Sequence, residues 1–291
     1  MISEVVTSLH GIPSRQSLMG EEVGPAWYES CKTSWFKLSD RVISVSERSP
    51  EIDNIHWLQT DSRPSMAAII RSMNPETGSH SLFCNGDILI GDDFIASLGM
   101  IDSNALYIAH RVDVALKSSS SNQCSVKEIY QYGLDAFVFP KALIDLIKTQ
   151  NIFPEDFKIG QPWWDYALPI LATYAEIPIY LIDSKPPTVL HHLHPTLNWN
   201  EDSWLSLGLV FIKFCEDLQK TAPKKAAYFI SQILSAYHQT TGSQTSKLNA
   251  VSKKFKSLIG KLPTTTKQNQ LQKIWRQVFF CTKTVNLNKP T

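Results

Sequence analysis

The sequence predicts an α/β protein, in which a mostly parallel, Rossmann-type sheet is flanked by helices and followed by an α-helical C-terminal region. Up to about residue 198, short apolar or β-branched runs alternate with segments whose apolar residues recur every three or four positions. Strands connected by helices produce this alternation. From residue 199 onward only the helical spacing remains. We therefore expect an α/β domain at residues 1–198 and a helical extension at residues 199–291.

Three strand–helix pairs are predicted in the first hundred residues. Trp27, Cys31, Trp35 and Leu38 are spaced by four, four and three residues, so they would line one face of a helix. The β-branched run at 41–45 and the apolar run at 81–84 are typical of buried strands. In chain order, the expected strands are 5–9, 41–45 and 81–84, and the expected helices are 25–38, 64–73 and 92–98.

The remaining elements follow the same rules. Extended segments are predicted at 105–114, 136–139 and 177–183, with a polar, serine-rich loop at 117–125. Pro140 stops a strand and opens a helix, and residues 163–174 form an amphipathic helix. In the C-terminal region, helices are predicted at 202–218, 224–237, 248–259 and 268–280.

Composition limits the class of protein. The chain has 291 residues, of which 43% are hydrophobic and 19% charged, which suits one large globular domain or two small ones. Its apolar runs are too short to span a bilayer, and its N-terminus carries Glu4 and lacks the basic region of a signal peptide. Five widely spaced cysteines without a CxxC motif indicate reduced thiols and a cytoplasmic location.

Charge is distributed unevenly along the chain. Residues 218–291 contain thirteen Lys or Arg residues and neither Asp nor Glu, so all 27 acidic side chains precede this stretch. Lysines around Phe255, Leu258 and Ile259 predict a basic amphipathic helix, which suits the anionic inner face of a membrane. The same charge suits an anionic glycan, and nucleic acid is the less favoured partner. A plainer interpretation is that these basic side chains form the solvent-exposed face of helices that cap the α/β domain.

Asp87 lies just beyond the predicted strand 81–84, separated from it by Asn85 and Gly86. In open α/β sheets, ligands bind beyond the carboxyl ends of the strands. A carboxylate there can hold a hard cation, and glycine lets the backbone approach a ligand closely. The alternative is an Asn-Gly turn with a surface aspartate.

Three histidines, His191, His192 and His194, lie close together near the end of the α/β domain. Histidine is a common metal ligand, and in an extended segment His192 and His194 would face the same side. Without a Cys or Glu at fixed spacing, the cluster alone is a weak metal signal.

Asp165 lies in the first turn of a predicted helix, directly after Trp163 and Trp164. The helix dipole explains a negative charge at this place. The functional alternative is a general base in a pocket walled by indole rings, which also pack well against sugar rings.

Seven short motifs occur in order over residues 3–198. They are Ser34-Trp35, Val42-Ile43-Ser44 with Glu47, Asn85-Gly86-Asp87-Ile88, Arg111-Val112-Asp113, Gly133 to Pro140, Ile159 to Asp165, and Ile177 to Asp183 followed by His191 to His194. This order resembles a bacterial family of GT-A-fold glycosyltransferase-like proteins, the nucleotide-diphospho-sugar transferases. The resemblance does not extend to the C-terminal region.

The resemblance implies a GT-A-like catalytic domain that binds a nucleotide-sugar donor together with Mn²⁺ or Mg²⁺. Asp87 matches the acid that holds the metal ion, His192 or His194 would complete the metal site, and Asp165 matches the base of inverting members. Asn85 departs from the family pattern, because it replaces the first acid of the usual metal motif. The positions expected to contact the donor are Thr7, Ser8, Leu9, His10, Ser44, Glu47, Asn85, Gly86, Arg111, Trp163 and Trp164.

The function expected from these observations is a metal-dependent glycosyltransferase acting on a glycan or lipid-linked acceptor. Two alternatives stay open. One is a catalytically silent nucleotide- or glycan-binding module on the same fold, which the departure at Asn85 allows. The other is a polyanion-binding protein that acts through its basic tail.

Overall fold

The computed structural model describes residues 1–10, 19, 23–50, 52–98, 102–116, 123–182, 187–194, 200–265 and 284–286. Its strands form one mixed sheet with the order β3-β2-β1-β4-β7-β6-β9-β5, in which β8 also pairs with β6 and β10 with β7. The strands are β1 Ile2–Thr7, β2 Val42–Ser46, β3 Ile55–Gln59, β4 His80–Cys84, β5 Ile88–Ile90, β6 Leu106–Leu116, β7 Gln123–Pro140, β8 Ile179–Leu181, β9 Val189–His192 and β10 Thr284–Asn286.

Most strands run in one direction. Strands β1, β2, β3 and β4 pair in parallel. Strand β7 is antiparallel to both β4 and β6, so β6 again runs in the direction of β4. Strands β8 and β9 are parallel to β6, and β5 is antiparallel to β9. The carboxyl ends of β1, β2, β4, β6 and β9 therefore share one edge of the sheet.

Helices cover both faces of this sheet. They are α1 Val23–Leu38, α2 Met66–Ser72, α3 Phe94–Leu98, α4 Lys141–Gln150, α5 Trp164–Tyr174, α6 Glu201–Gln219, α7 Lys224–Gln239 and α8 Gln244–Ile259. Neighbouring strand residues join different cores: Val5 and Leu82 pack with α1 and α3, whereas Val6 and Phe83 pack with the remaining helices. Side chains alternate across a strand, so a strand buried on both faces is mostly apolar, which explains the apolar runs in the sequence. Buried polar residues such as Glu4 and His80 are exceptions.

The C-terminal helices share a core with the sheet. Phe211 on α6, Ile230 on α7 and Phe255 on α8 belong to the same buried cluster as Val6 and Phe137. Gly208 allows α6 to approach α8 closely, because a Cβ at this position would lie 2.5 Å from Leu248 Cδ1. No helix among the described residues is both long and apolar enough to span a bilayer. The boundary at residues 198 and 199 remains a prediction.

The predicted fold class is confirmed: the protein is α/β, with a mostly parallel sheet flanked by helices and a helical C-terminal region. The prediction of a loop at 117–125 is wrong over residues 123–125, which begin β7, while residues 117–122 lie outside the described residues. The polar composition of residues 123–125 indicates a loop, but Cys124 and Ser125 pair with Leu116 and Ala115 on β6. The predicted helix 268–280 lies outside the described residues. The C-terminal region also contains a short strand, β10, which pairs with β7 and was not predicted.

Candidate active site

A tight turn delivers Asp87 to the carboxyl edge of the sheet. The N–H of Ile88 donates to the carbonyl oxygen of Asn85 at 3.1 Å, which closes a four-residue turn between β4 and β5. The Asn-Gly pair therefore has the structural role that its composition indicates. Asp87 is nevertheless buried, so the turn does not place it on the open surface.

Helix α1 holds this turn from one side. The indole N–H of Trp27 donates to the carbonyl oxygen of Asp87, and that of Trp35 to the carbonyl oxygen of Ile88, both at 3.0 Å. The hydroxyl of Ser34 accepts a hydrogen bond from the N–H of Ile90 at 3.0 Å. Buried backbone groups need such partners, so the Ser-Trp motif positions the segment that carries Asp87.

Asp87, His191 and His194 form a compact group of three ligand-type side chains. The Nε2 atoms of His191 and His194 lie 3.5 Å and 3.2 Å from Asp87 Oδ2, and 3.2 Å from each other. His191 is placed by β9, where it pairs with Ile88 on one side and Asp113 on the other. Among the described residues, this is the group whose atoms could together hold a metal ion.

Asp113 orients His191 from behind. Its Oδ1 lies 2.9 Å from Nδ1 of His191, so the proton of a neutral imidazole sits on Nδ1 and leaves the Nε2 lone pair directed at Asp87. Metal-binding histidines commonly have such a carboxylate partner. Burial lowers the pKa of His191, but Asp87 and Asp113 outweigh it, and the pKa is raised.

His192 lies away from this group. Its ring packs edge-on against Trp27, with 5.5 Å between ring centroids, and its Nδ1 lies 3.0 Å from the carbonyl oxygen of Leu193. Burial lowers the pKa of this imidazole. The expected pairing of His192 with His194 assumed an extended segment, but β9 ends at His192. Beyond this strand end, His194 lies with His191 instead.

The three side chains fit a divalent transition metal. Ligand atoms around one ion with bonds of about 2.1 Å are separated by roughly 3.0–3.4 Å, close to the distances found here. One carboxylate and two imidazoles suit a divalent transition metal better than Mg²⁺, which prefers oxygen ligands.

A chain of polar contacts runs along the edge of the sheet from the histidines. Arg111 Nε donates to Asp113 Oδ1 at 3.0 Å, and Arg111 Nη1 to Asp135 Oδ1 at 3.4 Å. Asp135 Oδ1 also accepts from Asn85 Nδ2 at 2.7 Å. Arg111 and Asn85, both expected to contact a ligand, are thus held side by side by buried carboxylates. Among the described residues, Asn85 Oδ1 and Asp135 Oδ2 are buried without a hydrogen-bond partner.

Asp165 lies at the start of α5, next to this chain of contacts. Its Oδ2 accepts a hydrogen bond from the N–H of Leu134 at 3.1 Å. The residue retains some solvent contact, yet dense surrounding protein desolvates the carboxyl group and, with a smaller contribution from Asp135, raises its pKa to about 7. A carboxyl group with such a pKa can accept a proton at neutral pH.

The two tryptophans before Asp165 are core residues here. Trp163 is 2% exposed, stacks on Phe211 and donates its indole N–H to the carbonyl oxygen of Trp204 at 2.9 Å. Trp164 is 4% exposed and packs on Phe83 and Phe137. The structure therefore places both side chains in the core and not on an open pocket wall.

The carboxyl ends of β1 and β2 carry the other expected donor-binding residues. The hydroxyl groups of Thr7 and Ser8 are buried and have no hydrogen-bond partner within the described parts of the chain. Ser44 Oγ lies 3.4 Å from Ser46 Oγ. Leu9 packs in the core shared with α1.

His10 and Glu47 meet at this edge. His10 Nδ1 lies 3.3 Å from Glu47 Oε2, and His10 Nε2 accepts a hydrogen bond from Arg63 Nε at 3.2 Å. The expected residues of the first two strand ends are thus brought together, and Gly86 lies in the turn between β4 and β5.

Sequence reasoning missed the roles of four residues. His191 belonged to the histidine cluster but was not chosen as a ligand. Asp113 and Asp135 belong to two of the seven motifs but had no assigned role. The spacing of two between Arg111 and Asp113 could have indicated their contact, whereas the 50 positions between Asn85 and Asp135 gave no such signal. Arg63 carried no signal, because the loop after β3 brings it to His10 across 53 residues.

Comparisons with known proteins give distant likenesses. No family model matches the chain, and no curated protein matches it. It is similar to the crystal structure of S. aureus TarS, with 12% identity over 84% of this chain and 45% of that one, and a TM-score of 0.48. It is also similar to the inositol-1-phosphate CTP transferase from T. maritima, with 12% identity over 76% of this chain and 98% of that one, and a TM-score of 0.40.

The glycosyltransferase GlyE of Streptococcus pneumoniae TIGR4 is a third likeness, with 11% identity over 92% of this chain and 66% of that one, and a TM-score of 0.32. The chain spans 45% of the length of the TarS structure. Identities and TM-scores at this level do not assign the chain to a family, and the function is inferred below from the site itself.

Proposed function

We propose that the protein is a metal-dependent glycosyltransferase that moves a sugar from a nucleotide-sugar donor to an acceptor hydroxyl group. The observation that carries this proposal is the group Asp87, His191 and His194. It lies at the same sheet edge as the buried hydroxyls of Thr7 and Ser8, which have no hydrogen-bond partner among the residues that the structure describes. A diphosphate-linked donor needs both a cation and polar groups at such an edge.

Each group has a distinct role in this reaction. Asp87, His191 and His194 would hold Mn²⁺ or Mg²⁺, which when bound supplies Lewis-acid stabilisation of diphosphate charge. Arg111, fixed by Asp113 and Asp135, presents its planar guanidinium for anionic groups of the donor.

The nucleoside part of the donor would lie against the ends of β1 and β2, where His10, Ser44 and Glu47 contact one another or their neighbours. Asp165 would take the proton of the acceptor hydroxyl, because its pKa near 7 leaves it partly ionised and still basic at neutral pH.

Thermal unfolding with nucleotides tests the donor site. UDP, GDP, CMP, dTDP and their sugars are each added with and without Mn²⁺. A ligand present at about 100 times its Kd stabilises the native state by about 2.7 kcal/mol. We expect one nucleotide to raise the melting temperature, and Mn²⁺ to enlarge the effect.

Two variants make this test specific. Asp87→Asn should abolish the Mn²⁺-dependent part, whereas Asp93→Asn, an exposed aspartate six residues further on, should leave it unchanged. Equal responses of the two variants would contradict the metal assignment.

A silent binding module is a second candidate. Asn85 supplies an amide where an acid would be expected, and its Nδ2 is already engaged by Asp135. The module would bind a nucleotide-sugar but neither transfer nor hydrolyse it. Release of nucleoside diphosphate from the identified donor separates the two: turnover that is lost in Asp165→Asn supports the transferase, and binding without turnover supports the module.

The acceptor is proposed to be a glycan or a lipid-linked sugar at the inner face of the membrane. The described part of the basic tail exposes Lys224, Lys225 and Lys253, which suit an anionic lipid surface. Flotation with liposomes containing anionic lipid tests this, and absence of binding at low salt would contradict it. Salt-sensitive binding to many polyanions without any metal effect would favour the polyanion-binding alternative.

A further inference from the structure

Asp135 lies at a point where strand β7 departs from regular pairing. Ala136 pairs with Ala109 on β6, whereas Leu134 pairs with the next residue, His110, so Asp135 is an extra residue on β7. An irregularity of this kind bends the strand and redirects a side chain, and it is common next to active sites. Asp135 is 5% exposed, so the redirected carboxyl group is buried.

One oxygen of this carboxyl group is occupied by two neighbours. Cys84 at the end of β4 pairs with Ala136, so Asn85 lies opposite Asp135, and opposing side chains share one face of a sheet. Asp135 Oδ1 accepts hydrogen bonds from Asn85 Nδ2 at 2.7 Å and from Arg111 Nη1 at 3.4 Å. These two contacts hold the carboxyl group in one orientation.

Two acceptor oxygens remain close together beside this contact. Asp135 Oδ2 and Asn85 Oδ1 are buried, and neither has a hydrogen-bond partner among the residues that the structure describes. They belong to the same two side-chain groups that are joined through Asn85 Nδ2 and Asp135 Oδ1. Buried acceptors are rarely left without a partner, because this costs stability. The pair of oxygens therefore indicates a ligand that donates hydrogen bonds.

The chemistry of these two oxygens selects the kind of ligand group. A phosphate group presents mainly acceptor oxygens and would not satisfy them. A cation is disfavoured, because the guanidinium group of Arg111 already lies against the Asp135 carboxyl group. Hydroxyl groups on neighbouring carbons of a sugar are uncharged, and each donates one hydrogen bond. A diol therefore fits the pair.

We propose that Asp135, together with Asn85, binds hydroxyl groups of the sugar that is transferred. This role rests on the proposed function, since it requires a nucleotide-sugar in the site. It makes Asp135 a residue that contacts the donor and selects its sugar, in addition to holding Arg111.

The position of Asp135 favours the transferred sugar over the ribose of the donor. Leu134, the residue before Asp135, donates its N–H to Asp165 Oδ2 at 3.1 Å, so the acceptor pair lies next to the proposed base. The residues proposed to contact the nucleoside lie at the ends of β1 and β2, and β4 separates these strands from β7. The ribose would therefore lie on the far side of β4 from Asp135.

Asp135→Asn separates ligand binding from structural support. The remaining oxygen of the new side chain can still accept hydrogen bonds from Asn85 and Arg111, while an amide NH₂ group replaces the free acceptor. This NH₂ group can donate to Asn85 Oδ1, which satisfies that buried atom within the protein. We therefore expect the variant, without ligand, to melt at or above the wild-type temperature, although it presents a donor where a sugar hydroxyl needs an acceptor.

Calorimetric titration in the presence of Mn²⁺ measures the sugar contact. The probes are UDP, GDP and dTDP, each alone and as its glucose or mannose conjugate. We expect the wild-type protein to bind one conjugate more tightly than its nucleoside diphosphate. In Asp135→Asn the affinity for this conjugate should fall about 10- to 100-fold, while the affinity for the nucleoside diphosphate should stay unchanged.

Two further variants complete the comparison. Asp156→Asn changes an exposed aspartate outside the site and should alter neither affinity. Asn85→Ala removes the other acceptor oxygen and should give the same selective loss of the conjugate, which keeps the test open if Asp135→Asn does not fold.

Conjugates in which one ring hydroxyl is replaced by fluorine identify the hydroxyl that is bound. Fluorine does not donate a hydrogen bond, so the wild-type protein should bind one of these analogues about 10- to 100-fold more weakly than the parent sugar. Asp135→Asn should not distinguish this analogue from the parent.

Unchanged affinities in Asp135→Asn and Asn85→Ala would overturn the sugar contact. Equal losses of nucleoside diphosphate and conjugate would also overturn it: with an unchanged melting temperature they would place the ribose against Asp135, and with a lowered one they would reduce Asp135 to a support of Arg111 and Asn85. If nucleoside diphosphates bind but no conjugate binds more tightly, only the sugar contact fails. If no nucleotide binds to the wild-type protein, the proposed function fails and the sugar contact fails with it.

Discussion

Replacing Asp165 by asparagine should change how stability depends on pH. An acid whose pKa is raised by folding contributes stability that is complete below its ordinary pKa and is lost as the pH rises through the folded pKa. For Asp165 this window extends from 3.8 to about 7. Asparagine keeps an oxygen that can accept the hydrogen bond from Leu134, but it does not titrate.

The size of the effect follows from the two pKa values. Their difference of about 3 pH units corresponds to about 4 kcal/mol at 1.36 kcal/mol per unit, and about 2–3 kcal/mol of this falls between pH 5 and pH 8. Residual solvent contact of Asp165 makes this an upper limit. The wild-type protein should therefore lose this much stability relative to Asp165→Asn over that range.

Urea unfolding at pH 5, 6, 7 and 8 measures the difference, with linear extrapolation to water. The matched control is Asp156→Asn, because Asp156 is an exposed aspartate in a nearby turn. If the stability difference of Asp165→Asn changed with pH no more than that of this control, the argument that burial raises the pKa of the Asp165 carboxyl group would be refuted.

Three further predictions concern the supports of the site. Asp113→Asn should weaken Mn²⁺ binding by about 10- to 100-fold, since the variant no longer presents a carboxylate to the imidazole of His191, which we propose as a metal ligand. Calorimetric titration measures this, and an unchanged affinity would remove Asp113 as a support. Trp35→Phe should lower the free energy of unfolding by about 1–3 kcal/mol, because the buried carbonyl oxygen of Ile88 on β5 loses its hydrogen-bond donor. Urea unfolding measures this, and an unchanged free energy would mean that water replaces the indole N–H. Gly208→Ala should lower the free energy of unfolding by about 1–3 kcal/mol, because the added methyl group would overlap the side chain of Leu248. An unchanged free energy of unfolding would mean that helices α6 and α8 can separate without cost.

Much of the fold could be predicted because both faces of the sheet are buried. Runs such as Val42–Ser46 and His80–Cys84 are long enough and apolar enough to identify strands directly. Strand β3, Ile55–Gln59, was not predicted, because it is half exposed and its residues mix polar and apolar types. The predicted loop at 117–125 overlaps the first three residues of β7, which are polar in part and are identified as a strand by their pairing with β6.

Only some residues of the candidate site could be predicted from the sequence. Asp87 lies at a strand end, a position that sequence reasoning can recognise. The choice between His191 and His192 depended on where β9 ends, and strand ends are the least predictable feature of a sequence. Asp113 shares a strand face with Arg111 two residues away, but its contact with His191 and those of Asp135 with Asn85 and Arg111 join residues distant along the chain, which no spacing rule reveals.

The two indole hydrogen bonds of helix α1 provide natural NMR probes of metal binding. Trp27 and Trp35 are not among the candidate metal ligands. Their indole N–H groups nevertheless donate hydrogen bonds to the backbone carbonyl oxygens of Asp87 and Ile88, next to the candidate metal site. Indole protons give separate signals in NMR spectra, and a paramagnetic ion such as Mn²⁺ broadens signals near it. Titration of Mn²⁺ into the unmodified chain should therefore extinguish these two signals early, which would locate the ion without changing a single residue.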